Sequence, residues 1–414
     1  MNALRIEQFG VRALQFGAQT QFADGCLCVN RDEFCQKLKQ LVAEIQTINL
    51  HVASPGERTR VLCVKDVIEP RIKTSGTQPG QGIVRALTNC AVVTCGPIVG
   101  FQEGIIDMNG PGAAHTPFSK ISFLVLKLDV AADVGPHEHE QVVRETGLAA
   151  AKLLAECTRD SQPDETVRVE WNPLPAEGDL PRIAYVMMVL SQGLLHDTYV
   201  LGQDAMSNLP AILDPRAVFD NAVVSGNCVS ACDKNTTWHH QHNPVVSELL
   251  RGHGSHWNFV GMVVTNEPTR LLEKEQSALR TLQLVQQLEP NGVVVTKEGF
   301  GNPDADLMMI LRGLEQAGIR AVGVTDEYAG SDGGSQSLAD ATPEADAIVS
   351  TGNANARIAL PAMDAVIGDL PDVTRLAGGY PWSVHADGSL EVELQAIVGA
   401  TNQLGANRLM CCEV

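Results

Sequence analysis

The chain is short of positive charge. Lys and Arg number 30 against 49 Asp and Glu, a formal net charge of −19 over 414 residues. Such a surface is a poor partner for nucleic acid or an anionic membrane, and neither is expected to bind. No apolar run reaches the roughly 18 residues that a membrane span needs. The opening Met1-Asn2-Ala3-Leu4-Arg5-Ile6-Glu7 has no cationic stretch leading into an apolar segment, so no secretory signal is expected and a cytoplasmic location is. Paired Cys-x-x-Cys knuckles are also missing, which leaves structural zinc unannounced, and no metal site is assigned. The eleven cysteines are expected as thiols in a long chain without a leader. Two close pairs, Cys26-Leu27-Cys28 and Cys411-Cys412, hint at redox or metal chemistry, but plain thiols are the expected reading.

What is present supports a folded core. Hydrophobic residues are 44% and charged residues 19% of the chain, too little charge for disorder. At about 150 residues per domain the length suits two or three domains. Short segments at Leu4-Arg5-Ile6, Val11–Leu14 and Cys26–Val29, broken by Gly and polar residues, read as strands. Phe34, Leu38, Leu41, Val42 and Ile45 recur at helical spacing and predict a helix over residues 31–47. Residues 60–130 alternate strand-like runs with Gly/Pro-rich loops, and a helix is expected over about 138–156. From Asn258 onward continuous apolar strands (259–264, 292–296, 320–325) alternate with helices near 269–288 and 305–317. That pattern predicts βαβ units and a parallel sheet. The expected class is α/β, a β-rich N-terminal half followed by a parallel open-sheet α/β half. The expected division is residues 1–130, 131–227 and 228–414. Ligands of such sheets sit at the strand C-terminal ends. Those ends carry Thr265-Asn266-Glu267, Lys297–Asp304 and Asp326–Gly330.

Residues 221–246 carry the most chemistry. An apolar strand ends in Ser225-Gly226-Asn227-Cys228, followed by Cys232, Asp233, Lys234, His239, His240 and His242. Thiols, a lysine and three imidazoles within fifteen residues suit a metal loop, although the spacing matches no standard finger. They also suit a self-processing site. A Cys thiolate can attack the preceding carbonyl in an N-to-S acyl shift, and elimination then gives dehydroalanine, which hydrolyses to a pyruvoyl group. Gly226-Asn227 supplies a turn and the imidazoles supply bases.

The chain resembles the proprotein subunit of component B in the glycine/sarcosine/betaine reductase family, related to the D-proline reductase proprotein. The resemblance runs nearly end to end. It is carried by Lys65–Arg71, Gly100–Gly112, Thr116–Ser119, Asn227-Cys228 through Pro244, Glu298–Asp306, Asp326–Gly330, Ser335–Asp340, Gly352–Asn355 and Ile397–Asn402. It implies cleavage before Cys228, leaving 227 and 187 residues of the 414, with a pyruvoyl cofactor on the second fragment. Such a carbonyl is an electron sink for a bound amine, and the family cleaves the C–N bond reductively. The implied partners are a small amine substrate, a selenol- or thiol-bearing subunit of the reductase complex and a small selenoprotein acceptor, in an oligomeric assembly. Asn227, Cys228, Cys232, Asp233, Lys234, His239 and His240 are the candidate catalytic residues. Trp238 and His242 stand where the family is expected to have Tyr and Asn, which bears on the substrate. A ring-opening D-proline-type reductase is the rival enzyme, disfavoured because those proproteins carry additional sequence. An unprocessed scaffold for a redox partner is the rival of another class.

Other residues have plainer readings beside their functional ones. The acidic residues Glu298, Asp304, Asp306, Asp326 and Glu327 suit an ammonium group or a metal, yet each could be a helix cap; Glu298, Asn302, Asp304, Asp326 and Glu327 are the candidate substrate-binding residues. Gly299–Pro303 could cradle an anion at a helix start or simply form a turn. His137 and His139 would share a face on an extended segment and suit a metal, but a solvated helix entry is the expected reading. Lys120 and Lys234 could bind a carboxylate, although a surface lysine is the commoner case.

Overall fold

A computed structural model describes residues 3–96, 103–131, 133–175, 178–193, 195–226, 234–368, 376–379 and 383–407. The strand-rich first half runs β1 (Leu4–Gly10), β2 (Ala13–Phe16), β3 (Gln21–Ala23), β4 (Cys26–Val29), α1 (Arg31–Leu41), β5 (Ile45–Ala53), β6 (Thr59–Ile68) and β7 (Arg71–Ser75). It continues through β8 (Gly82–Thr88), β9 (Cys90–Cys95), β10 (Gly104–Asp107), α2 (Gly110–Ala113), β11 (Ser122–Val130), α3 (Pro136–Glu156) and β12 (Glu165–Val169). Three sheets form here, ordered β12-β1-β8-β7, β10-β6-β9-β11-β5 and β2-β4-β3. The helix expected over 31–47 stops at Leu41. Val42 is already extended (φ −130°, ψ 104°), and β5 leaves to pair with β11. The β-branched run Val42, Ile45, Thr47 and Ile48 favours a strand over further turns. His137 and His139 lie in the first turn of α3. Two positions apart on a helix, they do not share a face.

The second half runs β13 (Arg182–Val189), β14 (Thr198–Val200), β15 (Gln203–Asp204), α4 (Ala205–Asn208), β16 (Ala211–Leu213), β17 (Val223–Ser225), α5 (Thr237–Gln241) and α6 (Pro244–Gly252). Then follow β18 (Asn258–Asn266), α7 (Leu271–Gln287), β19 (Gly292–Thr296), α8 (Asn302–Gln316), β20 (Arg320–Glu327) and β21 (Ile348–Asn353). The large sheet is ordered β16-β18-β13-β19-β20-β21. All its pairings are parallel except that of edge strand β16. This is the expected parallel sheet, with three strands, β13, β16 and β21, beyond the three that its apolar runs announced. β13, from before residue 227, lies between β18 and β19, from after it. The central strands are the buried ones, β18 completely and β13 from Ala184 onward, as a parallel sheet covered by helices requires.

Counted from β13, the five parallel strands have the order 2-1-3-4-5. The crevice of such a doubly wound sheet opens beyond the carboxyl ends of its first and third strands, here β13 and β19. The chain finally returns to the first half. β22 (Arg357–Leu360) pairs with β24 (Leu390–Glu393), and β23 (Ala365–Ile367) pairs with β6. Among the described residues no helix is long and apolar enough to cross a membrane.

Candidate functional site

Register brings the polar strand ends to one level. Met187 pairs with Thr296 and Thr296 with Val324, so two residues further Val189, Glu298 and Asp326 lie side by side. Val189 is level with Asn266, which puts Glu267 next in that tier. Glu298 spans the crevice. Its Oε2 accepts the Leu190 amide (3.0 Å) at the end of β13, and its Oε1 accepts the Asn235 amide (2.6 Å). The C-terminal segment closes the circuit. Asn402 Nδ2 donates to Asn235 Oδ1 (2.7 Å), Thr401 Oγ1 donates to Asp326 (3.2 Å), and Gln403 donates to both Asp326 and the Gly299 carbonyl. Phe300 stacks on Tyr328 (centroids 3.7 Å apart), joining the loops after β19 and β20.

The segment 221–246 enters this crevice. Asn227, Cys228, Cys232 and Asp233 lie outside the described residues; the residues on either side of them are held tightly. The Gly226 amide donates to the Asp197 carbonyl (2.6 Å), and its carbonyl accepts the Ser225 hydroxyl (3.0 Å) and the buried ammonium of Lys234. Only glycine fits there, because a Cβ would stand 2.0 Å from the His196 carbonyl oxygen.

Downstream, Thr236 caps α5 and its amide donates to His239 Nδ1 (3.1 Å), a reciprocal capping box. Nδ1 is therefore the acceptor and the ring proton sits on Nε2, against the face of Gly399. His239 packs on Phe118 (centroids 5.0 Å). Burial, with the charges of His240 and His242, lowers it to about 3. Burial and then the Lys234 charge lower His240 to about 3 as well, so both rings are neutral at pH 7. Beneath α5, Asp66 of β6 accepts the Thr237 amide (2.8 Å) and hydroxyl (2.6 Å). Burial pushes Asp66 up to about 7, against the pull of Thr237 and Lys234. The irregular pairing of β6 with β9 between Val64 and Asp66 re-aims this stretch.

Glu298 is raised to about 7 by burial, with Asp197 adding to the rise, although two amides and Lys234 oppose it. Glu267 rises well above the usual carboxylate range through burial and its neighbours Asp306 and Glu298. Among the described residues, Gln192 Nε2, Asn235 Nδ2, Glu267 Oε2, Gln403 Oε1 and both ring nitrogens of His240 are buried without a hydrogen-bond partner. Orphaned buried polar atoms are costly and mark functional positions. Among the described residues, no three His, Cys, Asp or Glu side chains are disposed to hold a metal ion.

Of the candidates picked from sequence, Lys234, His239, His240, Glu298 and Asp326 come together here. Asp304 is turned to the wholly buried Lys297 and the Ala339 amide (2.7 Å). Asn302 offers only its main-chain carbonyl, to Lys274 (3.1 Å). Glu327 bonds the Ser337 hydroxyl (2.9 Å) at the far end of β20. Lys120 is exposed. Asp66, Asn235, Glu267, Lys297 and Asn402 were not selected from sequence. A visible signal was a charged residue abutting an apolar strand, as in Lys65-Asp66 and Lys297-Glu298.

Trp238 and His242 stack on each other (centroids 4.3 Å apart). His242 Nε2 reaches Glu69 (2.9 Å). The two side chains thus form one contact on the outer side of α5, with His239 and His240 inside.

The sequence profile described as glycine/sarcosine/betaine reductase component B subunits matches residues 2–412. The chain is 47% identical to "Glycine reductase complex component B subunits alpha and beta" of Peptoclostridium acidaminophilum, over 97% of each chain. It is 43% identical to "Sarcosine reductase complex component B subunit alpha" of the same organism, over 98% of each. A remoter likeness, 22% identical over 78% of this chain but 55% of the other, is to "D-proline reductase proprotein PrdA" of Acetoanaerobium sticklandii. No solved structure matches. The chain therefore belongs to the glycine/sarcosine/betaine reductase component B family, a family of oxidoreductase-complex subunits.

Proposed function

We propose that this chain is a pyruvoyl-dependent reductase subunit that cleaves the C–N bond of glycine or an N-methylated glycine, and that it matures by self-cleavage between Asn227 and Cys228. The observation that carries the reading is the buried ring around residues 227–233, in which the Lys234 ammonium holds the Gly226 carbonyl beside the neutral, unpartnered imidazole of His240.

Each described group has a task. The Asp197 carbonyl holds the Gly226 amide and Lys234 holds its carbonyl, which fixes the backbone up to residue 226. The Cys228 thiol attacks the Asn227 carbonyl, and His240 accepts the thiol proton. Asp66, near 7, can hold or release a proton at pH 7. Glu298 ties Asn235 to the sheet and keeps the ring closed. Cys232 and Asp233 remain candidate contacts from the same segment. The orphaned donors and acceptors fit a carbonyl group at this position; when formed from Cys228, it would supply an electron sink for the substrate amine.

The substrate is a small amine, and the relatives named for glycine and for sarcosine are nearly equal in identity. A selenol- or thiol-bearing subunit would supply the electrons and a small selenoprotein would take the carbon fragment, in an oligomeric complex in the cytoplasm. After cleavage the fragments would stay associated, because β13 of the first lies between β18 and β19 of the second. The test is an intact-mass spectrum, under denaturing conditions, of the chain matured with its complex. The expected C-terminal fragment begins at residue 228, lacks a free amine, has lost the Cys sulfur and takes a carbonyl-reactive label. A single uncleaved chain in fully active enzyme would overturn the proposal.

A further inference from the structure

Cys26 and Cys28 lie on β4, the middle strand of the β2-β4-β3 sheet, far in sequence from the processing segment. Strand alternation sends Leu27 and Val29 into the core and leaves both thiols on the other face, half-buried. Their sulfurs stand 3.7 Å apart. Gln15 Nε2 donates to Cys28 Sγ (3.5 Å). Gly17 faces Cys28 without a side chain, its missing Cβ position 3.6 Å from the sulfur.

A direct disulfide is the poorer use of this pair. Residues two apart on an extended strand have Cα atoms about 6.6–6.8 Å apart, at the upper end of the range that a disulfide tolerates. A bridging atom suits the gap better. Tetrahedral thiolate coordination with metal–sulfur bonds of about 2.3 Å puts neighbouring sulfurs about 3.8 Å apart. We propose that Cys26 and Cys28 form a two-thiolate chelate for a soft d10 cation of the Zn2+ or Cu+ class. Two bonds from thiolate sulfur replace two bonds from water, both thiol protons pass to solvent, and no electron moves. Among the described residues no third protein ligand is at hand, so the remaining positions stay open to an outside ligand such as a thiolate. The site does not depend on the pyruvoyl reading.

The experiment titrates the reduced full-length chain with Cd2+ alone, followed by thiolate-to-metal charge-transfer absorbance. The parent chain, Cys26→Ser and Cys28→Ser are compared. Both variants should lose the same one equivalent of chelate, whatever the other nine cysteines bind. In parallel, the unmutated chain is alkylated with and without Cd2+. Trypsin releases both thiols on one peptide, Ala13–Arg31, and Cd2+ should protect both of them together. Unchanged titrations in both variants, or alkylation of that peptide indifferent to Cd2+, would overturn the proposal. The alkylation result decides alone if the serine variants do not fold.

Discussion

Glu69, just past the end of β6, and Glu267 and Glu298, at the carboxyl edge of the large sheet, are equally buried and titrate in opposite directions. Along β6 several charges meet partners, although Asp66, held by a hydroxyl and amides, is raised. Arg60 grips Asp107 with two bonds (2.6 and 2.8 Å), and Lys65 pairs with Glu103. Just beyond, Glu69 meets Arg71 and His242. Burial alone would push Glu69 up, but the charges of His242 and Arg71 and their hydrogen bonds outweigh it and hold it to about 2. At the sheet edge Glu267 and Glu298 are equally buried, yet both are raised. For these three the difference is the pair of partners, Arg71 and His242, that Glu69 holds in contact. A buried carboxylate with a fitted partner is a structural pin; one without keeps its proton near neutral pH, available for chemistry.

The comparison breaks most visibly at the cysteines. Cys228→Ala should abolish both cleavage and turnover, because alanine has neither nucleophile nor leaving group. Cys228→Ser should cleave slowly and Cys232→Ala should still cleave. Gels and carbonyl labelling of the three variants decide this, and cleavage that survives only in Cys228→Ala would mean that the wrong thiol has been assigned. Next, Lys234→Met removes the cation on the Gly226 carbonyl. Cleavage should slow by about 100-fold, the scale of one lost positioning contact in catalysis, in a time course by denaturing gel. A rate equal to the parent's would remove Lys234 from the site.

The paired region should respond the other way. Asp107→Asn leaves Arg60 buried without a counterion and should cost about 3–5 kcal/mol of stability, read by denaturant unfolding. Cleavage of the folded fraction should proceed at the parent rate. A slowed rate there would erase the distinction between the two regions.

The smallest effect is in pH. Glu298 is raised in the folded chain, so its contribution is fully present below its unfolded value near 4.5 and is lost as pH rises through about 7. His239 and His240 are lowered, so theirs is present above about 6.5 and is lost as pH falls toward about 3. The slopes oppose each other between pH 4.5 and 6.5. Glu298→Gln removes one of them, so the Tm of the variant relative to the parent should climb across pH 4.5–7 and level off above. A flat difference would show that Glu298 is charged throughout that range.

Much of this was legible from spacing. The runs at 259–264, 292–296 and 320–325 marked the parallel strands because such strands are buried on both faces and read as unbroken apolar stretches. The density of amine and imidazole in 221–246 pointed to the segment whose described residues Lys234, His239 and His240 line the candidate site. Other features were not legible. Asp66 joins the site through Thr237, 171 positions away, and Asn402 through Asn235, 167 positions away. Local spacing contains nothing about contacts at that range. β13 was missed as the first strand of the large sheet for the same reason, since its neighbours β18 and β19 come more than 60 residues later in the chain.

The sequence by itself determined the element types, the polar character of the strand ends and the chemistry available between Ser225 and His242, because periodicity and side-chain chemistry are local properties. Only the tertiary structure decided which charges are satisfied. Glu69 and Glu267 are the same residue, both buried. One sits where the chain brings up Arg71 and His242, and the other sits where it brings up two further carboxylates.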